Sequence, residues 1–164
     1  MIRNFKVLLS LSLLISLVVG CIKAPEFPDI PEIELLGLSN SRMKQSAFNE
    51  DSTVVFIEFT DGDGDIGSDD SLNVFVKDLR DNFISNRFRI PYVPEAGANN
   101  GISGELSLTL YTTCCTYPNG QAPCTPSDQF LFDSISYEIY IVDRAGNESN
   151  RIVTPRILLE CNTQ

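Results

Sequence analysis

The chain has 164 residues, with 22 acidic and 12 basic side chains, no histidine and a net charge of −10. Such a surface repels nucleic acid and anionic lipid headgroups, so neither is expected as a partner. Without histidine no Ser-His or Cys-His nucleophile can be built. A hydrophobic fraction of 43% with 21% charged residues excludes a disordered chain, and the length fits one folded domain.

Arg3 and Lys6 open the chain and precede an apolar run over residues 7–19. The run is short of the roughly 20 residues a membrane span needs, but it suits the core of a cleavable signal. The block Leu17-Val18-Val19-Gly20-Cys21 resembles the lipobox of bacterial lipoproteins, in which a small residue precedes the cysteine whose thiol is acylated before cleavage. This implies a signal peptide at 1–20, an acylated Cys21 that holds the protein to the lipid bilayer, and a place in the bacterial envelope as an outer-membrane lipoprotein. Residues 21–32 follow as a lipidated, proline-rich linker, and 33–164 as the folded domain. Cleavage removes Arg3 and Lys6 and no acid, leaving 22 acidic side chains against 10 basic ones.

In the linker, Pro25, Pro28 and Pro31 recur at the three-residue period of a polyproline II helix, which predicts an extended, semi-rigid stalk. From Ile33 onward the pattern is of short strands between turn residues. Strands are expected at 33–38, 53–60, 73–79, 83–90, 105–111, 135–142 and 151–160, with Arg80-Asp81-Asn82 as the turn of a hairpin. Val55, Ile57 and Phe59 share one face, as do Leu106, Leu108 and Leu110, and likewise Tyr137, Ile139 and Ile141. Pro155 suits an edge or a bulge. No segment past residue 20 carries a helical apolar period. About seven short strands predict an all-β antiparallel sandwich.

Two motifs stand out. Residues 59–67, FTDGDGDIG, alternate Asp61, Asp63 and Asp65 with glycines, and Asp69 and Asp70 follow. Crowded carboxylates repel one another unless neutralised, and calcium takes six to eight oxygens, so a calcium site is expected here. It is not an EF-hand: Ile66 stands where that loop needs glycine, Leu72 where it needs its bidentate glutamate, and the loop follows a strand. The second motif, Asp143-Arg144-Ala145-Gly146-Asn147-Glu148-Ser149-Asn150, directly follows the strand at 135–142. Side-chain parity carries Val55-Ile57-Phe59 on to Asp61, and Tyr137-Ile139-Ile141 on to Asp143, so both carboxylates should point inward at the rim of the core. A charge there is costly unless paired.

The strand pattern and the two loops together resemble the fibronectin type III-like and other immunoglobulin-like lipoprotein domains of Bacteroidota. The resemblance implies that the loops after the strands at 53–60 and 135–142 lie at the same end. One cation would then be held by Asp61, Asp63, Asp65, the carbonyl of Ile66, one of Asp69 or Asp70, and Asp143. It also implies that the strands at 105–111 and 151–160 run to the opposite end. There one of Cys114 or Cys115 would pair with Cys161 and the other with Cys124, the choice staying open. Four cysteines without a CxxC pair or histidine favour disulfides over zinc in an exported protein.

These expectations point to a non-catalytic, calcium-stabilised structural or interaction module tethered in the envelope, docking onto another envelope protein. A glycan-binding accessory lipoprotein is the alternative, with Tyr92, Tyr111 and Tyr117 as sugar platforms in a chain that has no tryptophan. A small metal-dependent hydrolase ranks last, because no phosphate-binding loop or nucleophile-base pair accompanies the aspartates.

Overall fold

The computed structural model describes residues 26–94 and 101–162. The signal at 1–20, the lipidation residue Cys21 and the start of the polyproline segment, through Pro25, lie outside the described residues. Ten strands follow in chain order: β1 (Glu32–Leu38), β2 (Arg42–Lys44), β3 (Ser52–Asp61), β4 (Val74–Asp78), β5 (Ile84–Phe88), β6 (Ile102–Tyr111), β7 (Phe132–Ile135), β8 (Tyr137–Ile141), β9 (Ile152–Val153) and β10 (Ile157–Glu160). They form an all-β, sandwich-like fold. No described helix is long and apolar enough to cross a membrane.

One sheet has the order β1-β3-β6 and a second β5-β4-β8-β9. Their inner faces carry the residues that the alternation marks. Val55, Ile57 and Phe59 of β3 and Leu108 and Leu110 of β6 are buried, facing Val74 and Val76 of β4 and Ile139 and Ile141 of β8. Each such apolar side chain stabilises the fold by about 1.5–3 kcal/mol, and together they set the register of both sheets. Across β3 and β6 that register is unbroken, from Ser52 opposite Tyr111 to Asp61 opposite Ile102. The outer face has a liability: Glu34 lies opposite Glu58, and Glu58 opposite Glu105, three like charges in a row.

The strands expected at 135–142 and 151–160 are each divided. β8 pairs with β9 and β7 with β10, as two halves of one long hairpin. Between the halves three steps on one side, Glu138 to Ile135, face four on the other, Val153 to Ile157, so the second side bulges around Pro155. Proline cannot donate to the ladder, and Thr154 takes over. Its N–H donates to the Tyr137 carbonyl at 2.9 Å, and its hydroxyl accepts the Tyr137 N–H at 2.9 Å. β2, which the sequence reading leaves unassigned, adds a parallel strand to β10 and forms a third sheet, β2-β10-β7.

The two disulfides close one end. Cys115 joins Cys161 with Cα atoms 5.9 Å apart, and Cys114 joins Cys124 at 4.6 Å, which resolves the open choice. The buried Gln45 ties this end together. Its amide nitrogen donates to the carbonyls of Cys161 and Thr125, and its amide oxygen accepts from the Cys115 N–H and the Tyr117 hydroxyl.

The other end is where the chain enters. Glu32 of β1 pairs with Thr60, and before it the Pro28 carbonyl accepts the Gly62 N–H at 2.7 Å. A Cβ on Gly62 would collide with the Phe27 carbonyl and stand 2.7 Å from that of Pro28, so only glycine admits this close approach. The last part of the expected stalk, at Phe27-Pro28, is therefore seated on the aspartate loop instead of standing free of it. Asn150 fastens the same edge, donating to the Ile33 carbonyl at 2.8 Å and accepting the Ile33 N–H at 2.7 Å.

Candidate metal centre

β3 ends on Asp61, and strand parity puts that side chain under the rim of the core. It is completely buried, as parity predicts, and Asp143, two residues beyond β8, is 7% exposed. Gly62 and Gly64 then let the backbone turn back on itself, Gly64 with φ of 74°. The turn brings Asp63 and Asp65 round to Asp61, with one carboxylate oxygen of each lying within 4.8 Å of the others.

The electrostatics of this cluster are unfavourable as it stands. Neither carboxylate oxygen of Asp61 has a hydrogen-bond partner, nor does Oδ1 of Asp65. Burial, then the charges of Asp63, Asp65 and Asp143, push the Asp61 carboxyl up to about 7; the Asp65 N–H lies nearby and relieves a little of this, outside hydrogen-bond geometry. Asp65 is also raised, first by burial and then by Asp143 and Asp63, with Arg144 acting the other way. Buried polar atoms in folded proteins are nearly always paired, so three orphaned oxygens within a cluster of three aspartates form an environment that a hard cation satisfies.

Asp143 reaches this cluster electrostatically while building its own loop. Its carboxylate accepts the Asn147 N–H at 2.7 Å and the Asn147 amide at 2.8 Å. The two loops are stitched directly. The Ala145 N–H donates to Asp65 Oδ2 at 3.0 Å, the Arg144 N–H to the Asp65 carbonyl, and the Arg144 guanidinium to the Gly67 carbonyl at 2.9 Å. The loops after β3 and β8 therefore do share one end.

The remaining expected ligands sit differently. The Ile66 carbonyl already accepts a 2.6 Å hydrogen bond from the Asn73 amide, and the Ile66 side chain is fully buried in the core. Asp69 and Asp70 are exposed and lie outside the carboxylate cluster, on a turn where the Ser68 hydroxyl accepts the Asp70 N–H. Asn73 is the residue the sequence reading missed. It is 5% exposed, its amide fastens the loop at Ile66, and its oxygen accepts the Ile90 N–H at 2.8 Å. A single buried amide between two strands leaves no periodic signal. The three tyrosines do not form one platform. Tyr92 lies near the aspartate loop with the Arg144 guanidinium over its ring, Tyr117 is engaged by Thr125 and Gln45, and Tyr111 stands at the disulfide end.

Compared with known proteins, the chain matches no family model, no curated protein and no solved structure.

Proposed function

We propose that the protein is an acylated envelope lipoprotein whose domain is a non-catalytic interaction module held rigid by one calcium ion. The observation that carries this reading is the fully buried, unpartnered carboxylate of Asp61 amid Asp63, Asp65 and Asp143. Asp61, Asp63 and Asp65 would hold the ion, and Asp143 would complete its shell from the facing loop. The ion neutralises the cluster and staples the ends of β3 and β8. Its role is structural: the three aspartates face one another within 4.8 Å, and the chain has no histidine to serve as a base.

The entry path of the chain gives the staple a further purpose. Pro28 is hydrogen-bonded to Gly62, the residue between the first two aspartates. A cation that fixes this loop also fixes the seat of the linker, so the domain leaves its anchor at a defined angle. The calcium end then faces the membrane and the disulfide end faces outward. Mass spectrometry of the native protein tests the anchor, with an acylated Cys21 expected as the first residue. Cys21→Ser should release the protein from the membrane fraction. Recovery of native protein that retains residues 1–20 sinks the anchored reading.

A further inference from the structure

The disulfide end holds a cavity that the metal site does not explain. It has a volume of about 260 Å³ and lies between the loop before β3, the β4-β5 hairpin and the end of β6. Its walls include Asn49, Asn86, Tyr111, Asp78 and Tyr137. Tyr111 stands opposite Ser52, and Asp61 is at the far end of the same strand, roughly 30 Å away at the rise of a β-strand.

Tyr137 is the deepest of these groups. It is 2% exposed, yet its hydroxyl makes no hydrogen bond to a described residue, so the phenol opens into the cavity as an unused donor and acceptor. Burial pushes this phenol up to about 12, with the charge of Asp78 adding to the effect, so it keeps its proton at any physiological pH. Asn49, exposed, and Asn86, half-buried, line the same cavity with side chains that both donate and accept. Asp78 is held by Arg80 at 2.8 Å, which bridges on to Asp133 at 3.1 Å, so one guanidinium is shared by two carboxylates and this side of the cavity stays negative. At the mouth Tyr111 is 49% exposed, and Phe48, next to Asn49, is 83% exposed.

We infer that this cavity is a binding site for a neutral saccharide, one pyranose unit entering against Asn49, Asn86 and Tyr137 with an apolar ring face on Tyr111. The chemistry selects this class. Amides and a phenol supply both donors and acceptors, as ring hydroxyls require, and the Asp78–Arg80–Asp133 group, one guanidinium between two carboxylates, disfavours an anionic ligand. The exposed ring supplies the flat apolar surface that the C–H face of a sugar covers. The site lies at the end of the domain away from the linker, where a tethered protein can reach a glycan.

Saturation-transfer NMR on the full domain in calcium buffer tests this, with a panel of neutral hexoses, N-acetylhexosamines and their disaccharides as probes. At least one probe should receive saturation. Tyr137→Phe and Asn86→Ala should each weaken its binding about five- to tenfold, the effect of one truncated hydrogen bond to an uncharged group. Tyr111→Ala should weaken it at least as much, because it removes the whole platform. No saturation transfer to any probe overturns the inference, as does binding that all three variants retain at the parental affinity.

Discussion

Replacing Asp61 by asparagine should stabilise the metal-free protein and reduce what it gains from calcium. In the metal-free folded protein the Asp61 carboxyl holds its proton to about pH 7, whereas the unfolded chain loses it near 3.8. Between these values the folded state binds more protons than the unfolded one, so stability falls as pH rises from about 4 to about 7. Below that window the group costs nothing, and above it the full cost of a buried, crowded carboxylate remains. At 1.36 kcal/mol per unit the ceiling is about 4 kcal/mol, and screening through the exposed Asp63 leaves about 2–4 kcal/mol. Asp65 is shifted in the same direction and adds to the slope. In chelator at pH 8, Asp61→Asn should therefore melt roughly 8–16 °C above the parent, at about 4 °C per kcal/mol for a domain of this size. At pH 4 the two should melt together, and in millimolar calcium the variant's advantage should shrink by the ion's own stabilisation of the parent, because the variant lacks a ligand. Circular dichroism melts at both pH values, with chelator and with calcium, check all of this. A parent whose metal-free stability does not fall between pH 5 and pH 8, together with a variant no more stable in chelator, refutes the argument that Asp61 is an uncompensated buried charge.

The disulfides should be unequal. The Cys115–Cys161 bridge closes a sequence separation of 46 and Cys114–Cys124 one of 10, so loop-closure entropy assigns them about 4 and about 3 kcal/mol. The double variant Cys115→Ala/Cys161→Ala should lose about 1 kcal/mol more in urea unfolding than Cys114→Ala/Cys124→Ala, and non-reducing peptide mapping should recover these two pairs. On the outer face, Glu58→Lys should turn two cross-strand repulsions, with Glu34 and Glu105, into attractions. The gain should stay below about 1 kcal/mol and shrink in 1 M salt; a loss of stability at low salt contradicts the role given to that row.

Much of this architecture was legible in the chain because strict alternation leaves only one register that buries the apolar face. Val55-Ile57-Phe59 and Tyr137-Ile139-Ile141 fixed two central strands, and extending their parity located the buried carboxylates of Asp61 and Asp143. The strand ends also brought the four cysteines together, but adjacent Cys114 and Cys115 differ only in which way each side chain leaves the backbone, which spacing does not encode. β2 escaped because three residues are too few to show a period, and only its parallel partner β10 makes it a strand. The long hairpin read as two whole strands because its break depends on the Thr154 hydroxyl replacing a ladder bond beside Pro155. Gln45 and Asn73 were illegible for a related reason: a buried amide is recognised by what surrounds it in space, not by its neighbours in sequence. Asp69 and Asp70 follow the motif in sequence, but in space they stand on an exposed turn outside the group formed by Asp61, Asp63 and Asp65.

The claim on which the rest depends is that Asp61, Asp63, Asp65 and Asp143 share a calcium ion. Calorimetric titration of calcium into the chelator-stripped domain measures this directly, with a thermal melt of each end state. One ion should bind per chain, and at a hundredfold excess over its dissociation constant it should stabilise the fold by about 2.7 kcal/mol. Asp63→Asn and Asp143→Ala should each weaken the uptake. No heat of binding, with superimposable melts in calcium and in chelator, would contradict the account.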